Sequence, residues 1–174
     1  MRVENLGGRI CIIGPSSSGK STLANNLANK LNIPVTHLDY LAYYHGSNWQ
    51  RRSDSELIAA QSNIIKQEKW IIEGNYSICM PDRLQRATGV IWLDYHPLNV
   101  AYRYIIRCIK NNNGRIGKLP GSQKEFSLSL LKHILCTYPK NKIKYDKFLS
   151  YYHIPVVKIH NFKALKQFSR NNGI

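Results

Sequence analysis

Short apolar runs alternate along this chain with longer stretches in which apolar residues recur every three or four positions, the pattern of strands interleaved with amphipathic helices. Arg9-Ile10-Cys11-Ile12-Ile13 reads as a buried strand, and Leu23, Leu27 and Leu31 place a helix over 20–31. Pro34 introduces a second strand, Val35-Thr36-His37-Leu38. Ser53-Asp54-Ser55-Glu56 has the residues of a reciprocal N-cap, and Leu57, Ile58, Ile64 and Ile65 continue it as a helix to about Glu68. Trp70-Ile71-Ile72 and Val90-Ile91-Trp92-Leu93 form the third and fourth strands. Helical spacing returns from Leu98 to about Asn111, breaks at Asn111-Asn112-Asn113-Gly114, and resumes around 126–138 and 140–151. Pro155-Val156-Val157-Lys158-Ile159 supplies a fifth strand and 162–168 a last helix. Such alternation implies an α/β fold with a parallel sheet covered on both faces and ligands at the carboxyl ends of its strands.

Between the first strand and the first helix lies Gly14-Pro15-Ser16-Ser17-Ser18-Gly19-Lys20-Ser21, a complete G-x-x-x-x-G-K-[ST] motif. A polyphosphate is held where several backbone N–H groups converge, and glycine lets the chain curl that closely. Lys20 is placed to reach the β- and γ-phosphates, Ser21 to ligate Mg²⁺, and the positive end of the following helix to favour the anion. Gly14, Pro15, Ser16, Ser17, Ser18, Gly19, Lys20, Ser21 and Thr22 are therefore the expected ATP-binding residues.

A length of 174 residues suits one domain spanning 1–174. No run of 18 apolar residues and no basic-then-apolar leader occurs, and Cys11, Cys79, Cys108 and Cys136 are scattered without a CxxC pair, so a reduced cytoplasm is expected. The formal net charge is +15, and residues 101–174 hold 15 Lys/Arg against 2 Asp/Glu, which is +13 of it. That half attracts anions, and a nucleic-acid partner is one expectation alongside a basic lid over nucleotide phosphates.

The remaining candidates sit at predicted strand ends or near the break. Asp39, ending the second strand, is expected to bind the acceptor and take its proton or to hold a metal-bound water, and Glu73, ending the third, to support the Mg²⁺ shell. Arg103 and Arg107 share one helix face ahead of a mobile, lid-like segment near 108–125, where their charge can close over a transferring phosphoryl group. Asn75 and Arg83 are expected on the acceptor side; Arg51-Arg52 can recognise an anion, and Tyr43, Tyr44 and Trp49 can flank a ring. His37, His45 and His96 lack metal spacing and receive no ligand role.

Taken together, the phosphate loop, His37-Leu38-Asp39, Trp70-Ile71-Ile72-Glu73-Gly74-Asn75-Tyr76, Val90-Ile91-Trp92-Leu93-Asp94 and Arg103-x-x-x-Arg107 resemble adenylate-kinase-like P-loop proteins, and within them the DNA topology modulation group. The resemblance runs nearly end to end. It implies a nucleoside-monophosphate-kinase-like three-layer sandwich with five parallel strands in the order 2-3-1-4-5, and ATP-dependent phosphoryl transfer to a small-molecule acceptor. Glu73-Gly74 matches the family's Asp-Gly with the longer carboxylate, and Arg103 and Arg107 match an arginine pair at the lid entrance. The Pro-Arg that follows Asp-Gly where the acceptor is a nucleotide is replaced here by Asn75-Tyr76. Two other readings accompany the kinase: a nucleotide-regulated nucleic-acid-binding protein affecting DNA topology, and a slow NTPase without an acceptor.

Overall fold

The computed structural model describes residues 2–47, 49–110 and 126–174. Five strands, β1 (Arg9–Ile13), β2 (Val35–His37), β3 (Trp70–Glu73), β4 (Gly89–Leu93) and β5 (Val156–Ile159), form one parallel sheet in the order β2-β3-β1-β4-β5. This is the expected order.

Alternation within the strands explains the layers. Ile10 and Ile12 of β1, Ile71 of β3 and Ile91 and Leu93 of β4 pack into one core with Leu23 and Leu27 of α1 (Lys20–Leu31), and Val100 and Tyr104 of α5 (Pro97–Lys110). Phe162, Leu165 and Phe168 of α8 (Phe162–Asn171) border it. The other face of the same strands, Cys11, Ile13, Trp70, Ile72, Val90 and Trp92, packs against Leu38 of α2 (Leu38–Ala42), Ile65 of α3 (Asp54–Ile65), Met80 and Leu84 of α4 (Met80–Arg86), and Tyr138, Tyr145 and Leu149 of α7 (Tyr138–Tyr152). Two cores on opposite faces make three layers, and they bury the central strands on both sides, as a parallel sheet requires.

The structure departs from the sequence reading at several elements. Strand β2 ends at His37, so Leu38 and Asp39 begin the short helix α2 rather than finishing the strand. Helix α3 opens on the expected reciprocal cap, with Ser53 accepting from the Glu56 amide and Glu56 accepting from Ser53 N–H, but ends at Ile65. Helix α4 falls in a stretch without a predicted element. The predicted break at Tyr138-Pro139 is instead a widened π turn, His133–Thr137, running from α6 (Leu128–Lys132) into α7. Pro139 sits in the first turn of α7, where its missing N–H removes no bond of that helix. The expected lid lies, from residue 111 to 125, outside the described residues.

Candidate active site

Strand β1 delivers the chain into the phosphate loop, whose backbone only certain residues tolerate. Gly14 has φ +148°, and a Cβ there would come within 2.8 Å of the Leu93 carbonyl oxygen. Gly19 has φ +97° and caps α1 without a side-chain hydrogen bond. The first-turn amides of a helix have no acceptor within it, so α1 offers its N–H groups and positive pole to an anion. The buried Ser17 and Ser18 hydroxyls have no hydrogen-bond partner among the described residues. Lys20 Nζ donates to the Pro15 carbonyl at 3.0 Å, folded back across the same loop. These features fit a polyphosphate.

Asn75 was expected to face the acceptor; the structure gives it another task. Its Oδ1 accepts from Gly14 N–H at 2.9 Å and its Nδ2 donates to the Gly14 carbonyl at 2.7 Å, so one carboxamide clamps both backbone groups of the loop's first glycine. Arg83 likewise does not face the cleft. It is fully buried, donating to Gln61 Oε1 at 3.2 Å and to the Gly74 carbonyl at 2.7 Å, and braces the backbone just after β3. An amide and a guanidinium beside a strand end are polar enough to suggest ligand contact, but here buried backbone groups take their hydrogen bonds.

Lys20, Ser21, Thr22, Asp39, Glu73, Arg103 and Arg107 do converge: with Ser16, Ser17 and Gly19 they line one cleft of about 220 Å³. Ser21 Oγ donates to Glu73 Oε1 at 3.0 Å, pairing two hard oxygen donors at the mouth of the loop, the kind of partial protein shell that Mg²⁺ accepts alongside phosphate and water. Burial is the largest influence on the Glu73 carboxyl and raises its pKa, but the hydrogen bond from His37 and the charge of Lys20 outweigh it and hold it below the ordinary value. Asp39 goes the other way, raised first by desolvation and then by the charge of Glu73, with Tyr76 and Lys20 opposing. The pKa values of two neighbouring carboxyls are thus pushed in opposite directions.

Tyr76 donates to Asp39 Oδ1 at 2.6 Å. Arg103 lies over the Phe162 ring, 3.8 Å from its centroid, and Arg107 over Tyr104 at 5.0 Å, so aromatic faces hold both guanidinium groups at the cleft. Other candidates serve the loop between α2 and α3: Arg51 pairs with Asp54 at 2.5 Å, Arg52 lies over the Tyr44 ring, and Tyr43 meets Trp49 edge to face. The sequence reading gave no role to Tyr76 or Asn25 and no ligand role to His37, whose two ring nitrogens are hydrogen-bonded to Glu73 and Asn25. One signal was present for Asn25, which lies four residues after Ser21 and so on the same face of α1.

The sheet order and this cleft define a P-loop fold of the kinase type. The chain belongs to the AAA domain family, whose model matches residues 9–104. Solved structures with the same fold include a shikimate kinase from Bacteroides thetaiotaomicron, at 17% identity and TM-score 0.56, aligned over 94% of this chain and 95% of that one. A gluconokinase from Sinorhizobium meliloti aligns at 16% identity and TM-score 0.53 over 97% and 95%. No curated protein matches the chain.

Proposed function

We propose that this protein is an ATP-dependent small-molecule kinase that transfers the γ-phosphoryl group to a hydroxyl or phosphate acceptor beside Asp39. One observation carries the reading: the phosphate loop, a carboxylate able to accept a proton, and two arginines face the same cleft.

In this reading Lys20 exchanges the Pro15 carbonyl for phosphate oxygens, and the α1 amides hold the remaining charge. Ser21 and Glu73 are the residues suited to hold Mg²⁺, which when bound neutralises charge on the phosphates. Tyr76 fixes Asp39 through Oδ1 and leaves Oδ2 to accept the proton of the acceptor hydroxyl. As the acceptor oxygen bonds to the γ-phosphorus, the bond from that phosphorus to the β,γ-bridging oxygen breaks and ADP departs. Arg103 and Arg107 stabilise the charge spread over the transferring group. Asp39→Asn is the test: ATP affinity stays near that of the parent while acceptor phosphorylation collapses, and a parallel loss of affinity assigns Asp39 to the nucleotide site instead.

A second reading rests on the +13 carried by residues 101–174. It makes the phosphate loop a switch and the basic half a nucleic-acid surface, as the resemblance to the DNA topology modulation group suggests. A P-loop that hydrolyses ATP slowly without an acceptor is the third. Acceptor-stimulated ADP release supports the kinase, and salt-dependent binding to duplex DNA supports the nucleic-acid reading.

A further inference from the structure

Glu73 does not meet the cleft alone. Its Oε1 accepts two hydrogen bonds, from Ser21 Oγ at 3.0 Å and from His37 Nδ1 at 2.8 Å. The opposite ring nitrogen, His37 Nε2, lies 3.0 Å from Asn25 Oδ1 on the second turn of α1, and Tyr40 packs against the ring at 5.2 Å between centroids. A single hydrogen-bonded chain, Ser21–Glu73–His37–Asn25, therefore ties the first two turns of one α1 face to the carboxyl ends of β3 and β2.

His37 is 7% exposed and is not among the residues lining the cleft, whereas Glu73, 4% exposed, is. The imidazole thus reaches the site through the carboxylate. A glutamate has three rotatable side-chain bonds to fix before its carboxylate holds one direction. A buried carboxylate that must stay aimed at a cation needs an N–H donor of set direction, and a ring pinned at both nitrogens supplies one.

We propose that His37 is a positioning residue that, with Asn25 holding its far side, fixes the Glu73 carboxylate for the divalent cation of the bound nucleotide. This rests on the nucleotide-binding reading above. A histidine serving only the core has no reason to discriminate between its two nitrogens in metal binding, and the two amide substitutions separate them. In His37→Asn the side-chain amide nitrogen stands where Nδ1 was and keeps the bond to Glu73; in His37→Gln the amide lies farther out, near the place of Nε2, and that bond is lost.

The experiment measures Mn²⁺ binding to the protein saturated with ADP, by electron paramagnetic resonance of the free ion, together with ADP affinity in the absence of metal. His37→Gln is expected to weaken Mn²⁺ binding roughly 10–100-fold, the range for removing a group that orients a metal ligand. Metal-free ADP affinity stays unchanged, and His37→Asn retains most of the Mn²⁺ affinity. Equal losses in both variants, or an unchanged affinity in a folded His37→Gln, overturn the proposal. Should that variant fail to fold, Asn25→Ala decides: weaker Mn²⁺ binding with metal-free ADP affinity retained upholds the pinned ring, and unchanged Mn²⁺ binding overturns it. If the parent protein with ADP bound takes up no Mn²⁺ at all, it is the nucleotide reading that fails, not the role of His37 alone.

Discussion

In the proposed kinase reading Lys20 and Asp39 carry opposite halves of the chemistry, and each has a distinct signature. Lys20 Nζ rests on the Pro15 carbonyl, and if it exchanges that partner for phosphate as proposed, Lys20→Ala is expected to fold normally and lose tight ATP binding and turnover. Calorimetric ATP titration of the folded variant checks this. Asp39 accepts a proton only when ionised, and its pKa is raised, so acceptor phosphorylation is expected to rise with pH through an apparent pKa above the ordinary carboxylate range. Tyr76 lowers the Asp39 pKa by its hydrogen bond; Tyr76→Phe therefore moves that limb to still higher pH, and Asp39→Asn removes it. A rate–pH profile on the three proteins distinguishes a base from a structural carboxylate.

At the scale of elements, the phosphate loop depends on a residue outside it. Asn75 makes two hydrogen bonds to Gly14, each worth about 0.5–1.5 kcal/mol net, so Asn75→Ala is expected to lower thermal stability and to weaken ATP binding as the loop loosens. Ser53→Ala provides the contrast, since losing the α3 cap costs about 1 kcal/mol of stability and leaves ATP affinity unchanged. Melting temperatures and ATP titrations on both variants test the distinction. The elements readable from sequence were those with enough residues to show a period or a cap: the strands, α1, the start of α3, α5, the helical stretch from 126 to 151 and α8. Helices α2 and α4, at five and seven residues, are too short for a 3.6-residue rhythm, so Asp39 read as a strand end when it lies in the first turn of α2. Pro139 read as a stop because a proline disrupts a continuous α-helix, and the π turn before it made continuation possible.

For the molecule as a whole, parallel topology brings the ends of β1, β2 and β3 together, which is why residues 14–22, 39 and 73 could be grouped before any side chain was placed. Side-chain direction was not readable in this way. Asn75 and Arg83 are polar residues near the right strand end, yet buried carbonyls and amides claim them, a matter of tertiary hydrogen bonding rather than pattern. Charge also acts at this scale: among the described residues no helix is long and apolar enough to cross a membrane, and the basic half of the chain faces whatever anions surround it. If that half grips nucleic acid, affinity for duplex DNA falls steeply and linearly on a log–log plot against salt, and substituting Arg107 lowers the slope by about one contact. If it serves the phosphoryl group instead, Arg107→Ala slows transfer roughly 10²–10³-fold while ground-state ATP binding weakens far less. The most direct test of the account is ADP release from the intact protein with Mg·ATP across a panel of nucleosides, nucleotides, sugars and other hydroxyl compounds, with Lys20→Ala and Asp39→Asn run beside it. The account predicts that at least one acceptor stimulates release and appears phosphorylated in equal amount, and that both substitutions abolish this. ATP hydrolysis that no acceptor changes and Asp39→Asn leaves intact would contradict it.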